Sequence, residues 1–164
     1  MDKKNFYIID SSSLIDLNRH NPIDVFPTLW EKIGILIDSE MMISHIEVFN
    51  EITQKDDNLA NWLKNHRKMF RDFSQKQSET VKDILNKYPS FVKKDSAFDA
   101  DPWLVALAKE IQDDPQKTLF NVKKLVVTEE SLAGNKIKIP FVCKSFGVDC
   151  INRIEMFRQE GWKF

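Results

Sequence analysis

The chain has 164 residues, 42% of them hydrophobic and 30% charged, with 12 Phe and 4 Trp to fill a core. That composition suits one folded domain spanning residues 1–164 and excludes a disordered chain. Lys and Arg number 24 against 25 Asp and Glu, a formal net charge of −1, so no global positive field advertises nucleic acid or an anionic membrane. The 4 glycines stand far apart at Gly34, Gly134, Gly147 and Gly161, which excludes the clustered glycines of phosphate-cradling loops. Neither a signal-peptide core nor the roughly 18 apolar residues of a membrane span is present. Cys143 and Cys150 match no zinc spacing and are too few for a disulfide framework. The expectation is a cytoplasmic protein with two buried thiols and no membrane partner.

In chain order, FYII at residues 6–9 reads as a buried strand that stops on Asp10, followed by serines that can cap a short helix closed by Asn21-Pro22. Leu29, Trp30, Ile33, Leu36 and Ile37 recur at helical spacing, predicting an amphipathic helix to Asp38. Residues 41–46 read as a second buried strand, and EVFNEI after it as a helix with Glu47 and Glu51 one turn apart. Residues 57–87 look like two helices with a break near Ser74. Pro89 and Lys93-Lys94-Asp95 mark a loop, after which Asp101-Pro102 reads as the cap and first position of an apolar helix, WLVALA. Residues 125–128 form a further strand, ended by Glu129-Glu130. A short helix over 139–146, a short strand over 148–151 and a last helix to about Gln159 complete the series. Trp162 and Phe164 are expected to close the core.

Short apolar strands that alternate with helices imply a mostly parallel sheet covered on both faces, a three-layer α/β/α sandwich. In such sheets ligands bind outside the carboxyl ends of the strands, near a switch in strand order. Asp10, Glu51 and Glu129/Glu130 all sit where a strand gives way to a helix or just inside it, and Asp101 opens another helix. Several carboxylates at one sheet edge repel one another unless a cation neutralises them. Oxygen ligands without a His or Cys set favour Mg²⁺ or Mn²⁺. Such a centre generates a hydroxide nucleophile and stabilises a phosphodiester under attack. Each acid also has a plain structural reading, as a helix cap or a residue favouring a helix N-terminus.

YIIDSSSLI (7–15) resembles the opening strand and turn of the PIN-domain nucleases, with the acid at Asp10 and a small polar residue, Ser12, two positions on. IEVFNEI, ending its acidic motif at Glu51, resembles their second motif. DPWLVALA resembles the third, with Asp101, and LVVTEES the fourth, with Thr128 and Glu130. The ordered set runs from about residue 7 to 151. Ser12 stands where Asn is frequent in the family, and the fourth acid is Glu, with Glu129 and Asp149 as rivals for that place. The insert between Glu51 and Asp101, DVFPTLW and KIPFVCKSFGVDC look more like a little-characterised prokaryotic branch than the compact toxin ribonucleases. The resemblance implies a PIN-like fold and a Mg²⁺- or Mn²⁺-dependent endoribonuclease whose metal and catalytic residues are Asp10, Glu51, Asp101 and Glu130. Ser12 and Thr128 then support the carboxylates or the scissile phosphate. It also implies a toxin held by an antitoxin protein, with a homodimer left open.

Lys64, Arg67, Lys68 and Arg71 fall in the most basic stretch and are the leading RNA phosphate contacts; otherwise they form a solvated helix face. His20, His45 and His66 have no ligand spacing and read as surface or satisfied polar residues. Dehalogenase-like phosphatase chemistry wants an Asp where Ser12 stands, zinc deaminase chemistry lacks its Pro-Cys-x-x-Cys, and a serine hydrolase lacks its Gly-x-Ser-x-Gly elbow. The competing class is a catalytically weak PIN-like binding or interaction module.

Overall fold

The computed structural model describes residues 4–55, 57–92, 98–114, 122–134 and 136–164, and the Lys93-Lys94-Asp95 loop lies outside them. A parallel five-stranded sheet runs through the described chain: β1 Asn5–Ile9, β2 Met42–His45, β3 Phe70–Arg71, β4 Lys123–Val127 and β5 Asp149–Ile151, in the order β3-β2-β1-β4-β5. Successive strand residues point to opposite faces. In β1 the run from Phe6 to Ile9 is buried throughout, so both faces are covered, as the apolar strands require. The covering helices are α1 Ser11–His20, α2 Pro27–Asp38, α3 Ile46–Ile52, α4 Asn58–Lys64, α5 Gln75–Lys87, α6 Ala100–Asp113, α7 Ile139–Ser145 and α8 Arg153–Glu160. The chain is therefore an α/β protein, a three-layer α/β/α sandwich.

The strand order places a switch at the centre. From β1 the chain moves outward to β2 and β3, then returns to the other side of β1 for β4 and β5. The crevice at the carboxyl ends of β1 and β4 is the place where such sheets bind ligands.

Several local expectations need correction. Ser74 does break the 57–87 region, capping α5 through the Gln77 N–H at 3.1 Å, but a 3-10 turn at Arg67–Met69 and the edge strand β3 lie before it. Met69 and Phe70 fit either a helix face or a short buried strand; Met69 closes the 3-10 turn, and pairing of Phe70 with Ser44 of β2 makes Phe70 strand. Helix α6 starts at Ala100 with Asp99 as its cap residue, so Asp101 stands in the first turn and Pro102 at the third position. Trp162 packs against the core, whereas Phe164 is 62% exposed. Cys143 is buried but Cys150 only half-buried.

Candidate active site

Asp10 prolongs β1. Its N–H donates to the Val127 carbonyl at 3.0 Å, and its extended backbone makes it the N-cap of α1, with Oδ1 accepting from the Ser13 N–H at 2.8 Å. The residue is 1% exposed. Ser12 Oγ donates to both carboxylate oxygens, at 2.9 and 2.8 Å, and Thr128 Oγ1 donates to Oδ2 at 2.6 Å. Burial pushes the Asp10 carboxyl up to about 6; the hydrogen bonds from Thr128, Ser13 and Ser12 pull against that, and the charge of Glu130 adds to it. Donors alone do not fully replace the water this carboxylate has lost.

The two hydroxyls also join the strand ends. Ser12 Oγ accepts from the Glu129 N–H at 3.1 Å, and Thr128 Oγ1 accepts from the Glu130 N–H at 3.2 Å. The turns that leave β1 and β4 are thus stitched together across the switch point.

The remaining acids share one arrangement. Glu130 Oε2 accepts from the N–H of Ile139, first residue of α7, at 2.8 Å. Glu129 Oε1 accepts from the N–H of Arg153, first residue of α8, at 2.9 Å, and Oε2 pairs with Arg153 Nη1 at 2.8 Å. Glu51 Oε2 accepts from the N–H of Ala100, first residue of α6, at 3.3 Å, one residue before Asp101. Each helix N-terminus carries a partial positive charge of about half a unit, and this disposition lets several acids occupy neighbouring helix starts without a buried cation pair for each. Among the described residues, no three His, Cys, Asp or Glu side chains are gathered into a group that could hold a metal ion.

Of the three rivals for the fourth acid, Glu130 is the one whose charge raises Asp10. The Glu129 carboxylate is engaged by Arg153, and Asp149 opens β5 opposite Leu125, exposed and away from the carboxyl edge. A cleft of about 200 Å³ adjoins the crevice, lined by Thr128, Glu130, Ser131, Cys150, Asn152 and Glu155 among others.

The basic residues lie on the β3 side of the sheet, two strands from β1. Lys68 pairs with Asp38 at 2.6 Å, Arg67 stands 5.0 Å over the Phe49 ring, and Arg71 Nη1 donates to the Lys68 carbonyl at 3.2 Å. Lys64 is in the last turn of α4.

Sequence reasoning missed Arg153, whose approach to Glu129 and, at 3.8 Å, to Asp16 has no sequence signature. It also missed the extent of a network around His45, the last residue of β2. His45 is fully buried; Nδ1 accepts from the Glu47 N–H at 3.0 Å, so Nε2 carries the proton and donates to Gln77 Oε1 at 2.9 Å. Gln77 Nε2 and Ser74 Oγ both donate to the Glu110 carboxylate. Phe73 and Trp103 flank the imidazole, with centroids 4.9 and 5.6 Å away. Burial holds His45 below its ordinary value, against the pull of Gln77 and of Glu47, Asp72 and Glu110.

Residues 7–164 match the family described as "Domain of unknown function (DUF4411)". No curated protein and no solved structure matches the chain. Among the described residues no helix is long and apolar enough to cross a membrane.

Proposed function

The chain belongs to the DUF4411 family, and we propose that it is a Mg²⁺- or Mn²⁺-dependent endoribonuclease whose reaction centres on Asp10. The observation that carries this reading is a fully buried carboxylate at the topological switch point, pushed up to about 6 and facing a second acid, Glu130. Mg²⁺ keeps several of its waters and takes only one or two carboxylates plus substrate phosphate oxygens. Asp10 and Glu130 fit that requirement without a closed protein cage, and Glu51 reaches the Ala100 N–H at the start of α6, one residue before Asp101. When bound, such an ion supplies an activated water and neutralises charge on the phosphodiester.

The chain's own groups have separate tasks. Ser12 and Thr128 fix the orientation of the Asp10 carboxylate from both sides. Glu51 orients the attacking water or serves as a second ligand. The cleft beside Thr128 and Glu130 admits the strand to be cut, and Lys64, Arg67, Lys68 and Arg71 track more distant phosphates. The resemblance to PIN-domain nucleases supports RNA as substrate and an antitoxin partner, and the two cysteines, too few for a disulfide framework, support a cytoplasmic setting.

A second reading rests on a specific observation: Asp10, Glu51, Glu129 and Glu130 each accept from the first turn of a helix, so the acids can be read wholly as caps on a non-cleaving binding module. Incubating the purified chain with mixed RNAs, with and without Mn²⁺, separates the two. The nuclease reading expects metal-dependent cleavage that disappears in Asp10→Asn. Cleavage retained in the mutant, or none in the wild type despite Mn²⁺ binding, removes it.

A further inference from the structure

We infer that Phe73, braced by Trp103, is a stacking platform for one base of a single-stranded RNA that runs from the basic stretch to the acids of the switch point.

All five strands are parallel, so their carboxyl ends share one edge. Three aromatic rings meet there. His45 ends β2, Phe73 follows the end of β3 by two residues, and Trp103 lies in the first turn of α6, two residues past Asp101. Trp103 stacks on the imidazole, with centroids 5.6 Å and planes 25° apart. Phe73 stands at 77° to the imidazole and 89° to the indole, with centroids 4.9 and 4.6 Å away. His45 is fully buried and Trp103 half-buried, whereas Phe73 is 49% exposed. The cluster thus anchors its foot in the core and leaves one ring open to solvent.

Helix capping does not account for that ring. Phe73 immediately precedes Ser74, the N-cap of α5, where an apolar residue ordinarily packs on the fourth helical residue. Here the fourth residue is Ser78, whose hydroxyl turns back to the Ser74 carbonyl at 3.2 Å. The backbone around Phe73 is nonetheless held, because Gln77 Nε2 donates to the Asp72 carbonyl at 3.2 Å and Ser74 Oγ accepts from the Gln77 N–H at 3.1 Å. Arg71, Asp72, Ser74 and Lys76 surround the ring in sequence. A single aromatic face among polar neighbours is far smaller than the roughly 800 Å² that a stable protein partner covers. It matches one planar base.

Position selects the occupant further. β2 lies between β3 and β1, so a strand whose phosphates follow the basic stretch crosses the platform before it reaches Asp10. Every base has an aromatic face, and stacking on a side chain therefore tolerates any sequence. A duplex keeps its bases stacked inside, which makes the substrate single-stranded at this point. The inference rests on the nuclease reading for its substrate and adds how that substrate is gripped between charge and acids.

Anisotropy titrations of a short labelled oligouridine in EDTA test this, with an abasic oligomer of equal length and a duplex as further probes. Phe73→Leu keeps apolar bulk without a π-face, and its affinity for oligouridine is expected to fall by about fivefold to a hundredfold. The salt slope should stay unchanged, since no phosphate contact is lost. Phe73→Trp should bind at least as tightly as the wild type. The abasic oligomer and the duplex should not distinguish Phe73→Leu from the wild type, and with Mn²⁺ restored cleavage per bound complex should be constant across the variants. Equal oligouridine affinity of Phe73→Leu and a wild type that binds and cleaves overturns the platform and leaves the nuclease reading standing, as does an equal loss for the abasic oligomer. Binding without cleavage removes the nuclease reading, while the leucine and tryptophan variants still decide the platform. A wild type that binds no RNA overturns both. Should the leucine variant fail to fold, equal affinity of the wild type for abasic and intact oligomers overturns the inference.

Discussion

Asp10 and His45 hold equivalent places in neighbouring strands. Each is the ionisable residue that ends its strand, each is buried, and each caps the next helix, Asp10 through Ser13 and His45 through Glu47. Their surroundings differ. The imidazole has a partner on both nitrogens and aromatic rings beside it, so it is complete while neutral. The carboxylate meets donors only, yet remains raised to about 6 because burial outweighs them and Glu130 adds its charge. One strand end is finished by the protein, and the other is still short of positive charge. This contrast, more than the presence of acids, distinguishes a candidate catalytic position from a structural one.

Asp10→Asn should break the contrast most severely. The side chain keeps its acceptor for the Ser13 N–H but loses the charge, so metal-dependent cleavage should fall by about a thousandfold or more. Stability should move the other way. A carboxyl raised from 3.8 to about 6 is bound to its proton more tightly in the folded chain, so wild-type stability should fall as pH rises from about 4 to about 6 and level off above, by about 3 kcal/mol. Denaturant titrations across that range should show the loss in the wild type and its absence in Asp10→Asn. A flat wild-type profile there would show that the Asp10 charge is already compensated.

His45→Ala should cost about 2–4 kcal/mol, since it leaves a cavity beside Phe73 and Trp103, removes the acceptor for the Glu47 N–H and orphans Gln77. Its pH signature is opposite in sign. The folded-state value is depressed, so the stability His45 contributes is present above about 6.5 and is lost as pH falls below it. Cleavage measured under conditions where the mutant is folded should change little, because His45 belongs to the finished strand end.

Thr128→Val keeps the volume and removes one donor, the 2.6 Å hydrogen bond to Asp10 Oδ2. A stability loss of about 1 kcal/mol is expected, with a further rise in the Asp10 titration that shifts the pH–stability curve upward. An unchanged curve would mean that Ser12 and the Ser13 N–H orient the carboxylate without Thr128.

The sequence made the strand ends legible because a buried strand that stops on a charged residue has few interpretations. Asp10, Ser12, Thr128 and Glu130 are drawn together by pairing of β1 with β4, which the apolar runs already imply. What stayed hidden depends on contacts between distant segments. Glu51 reaching the Ala100 N–H explains why α6 begins before Asp101, and no spacing within either segment encodes it. The short β3 exists only through its pairing with β2.

The smallest effect concerns the β3 side, where the basic stretch is distant from the crevice by two strands. Lys68 spends its charge on Asp38, the last residue of α2, and both side chains are more than half exposed. Asp38→Asn releases that lysine without touching either strand end, and the melting temperature should stay where it is. If Lys64, Arg67, Lys68 and Arg71 track RNA phosphates, the freed ammonium adds about one contact, and the slope of log affinity against log salt should steepen by about 0.7 for a single strand. Affinity at low salt should rise by about twofold to fivefold, while cleavage per bound complex stays constant because Asp10 is untouched. Filter-binding titrations of a short RNA at several salt concentrations read both quantities. An identical slope in Asp38→Asn and wild type would mark the stretch as a solvated face, and the grip on RNA would then have to come from the crevice itself.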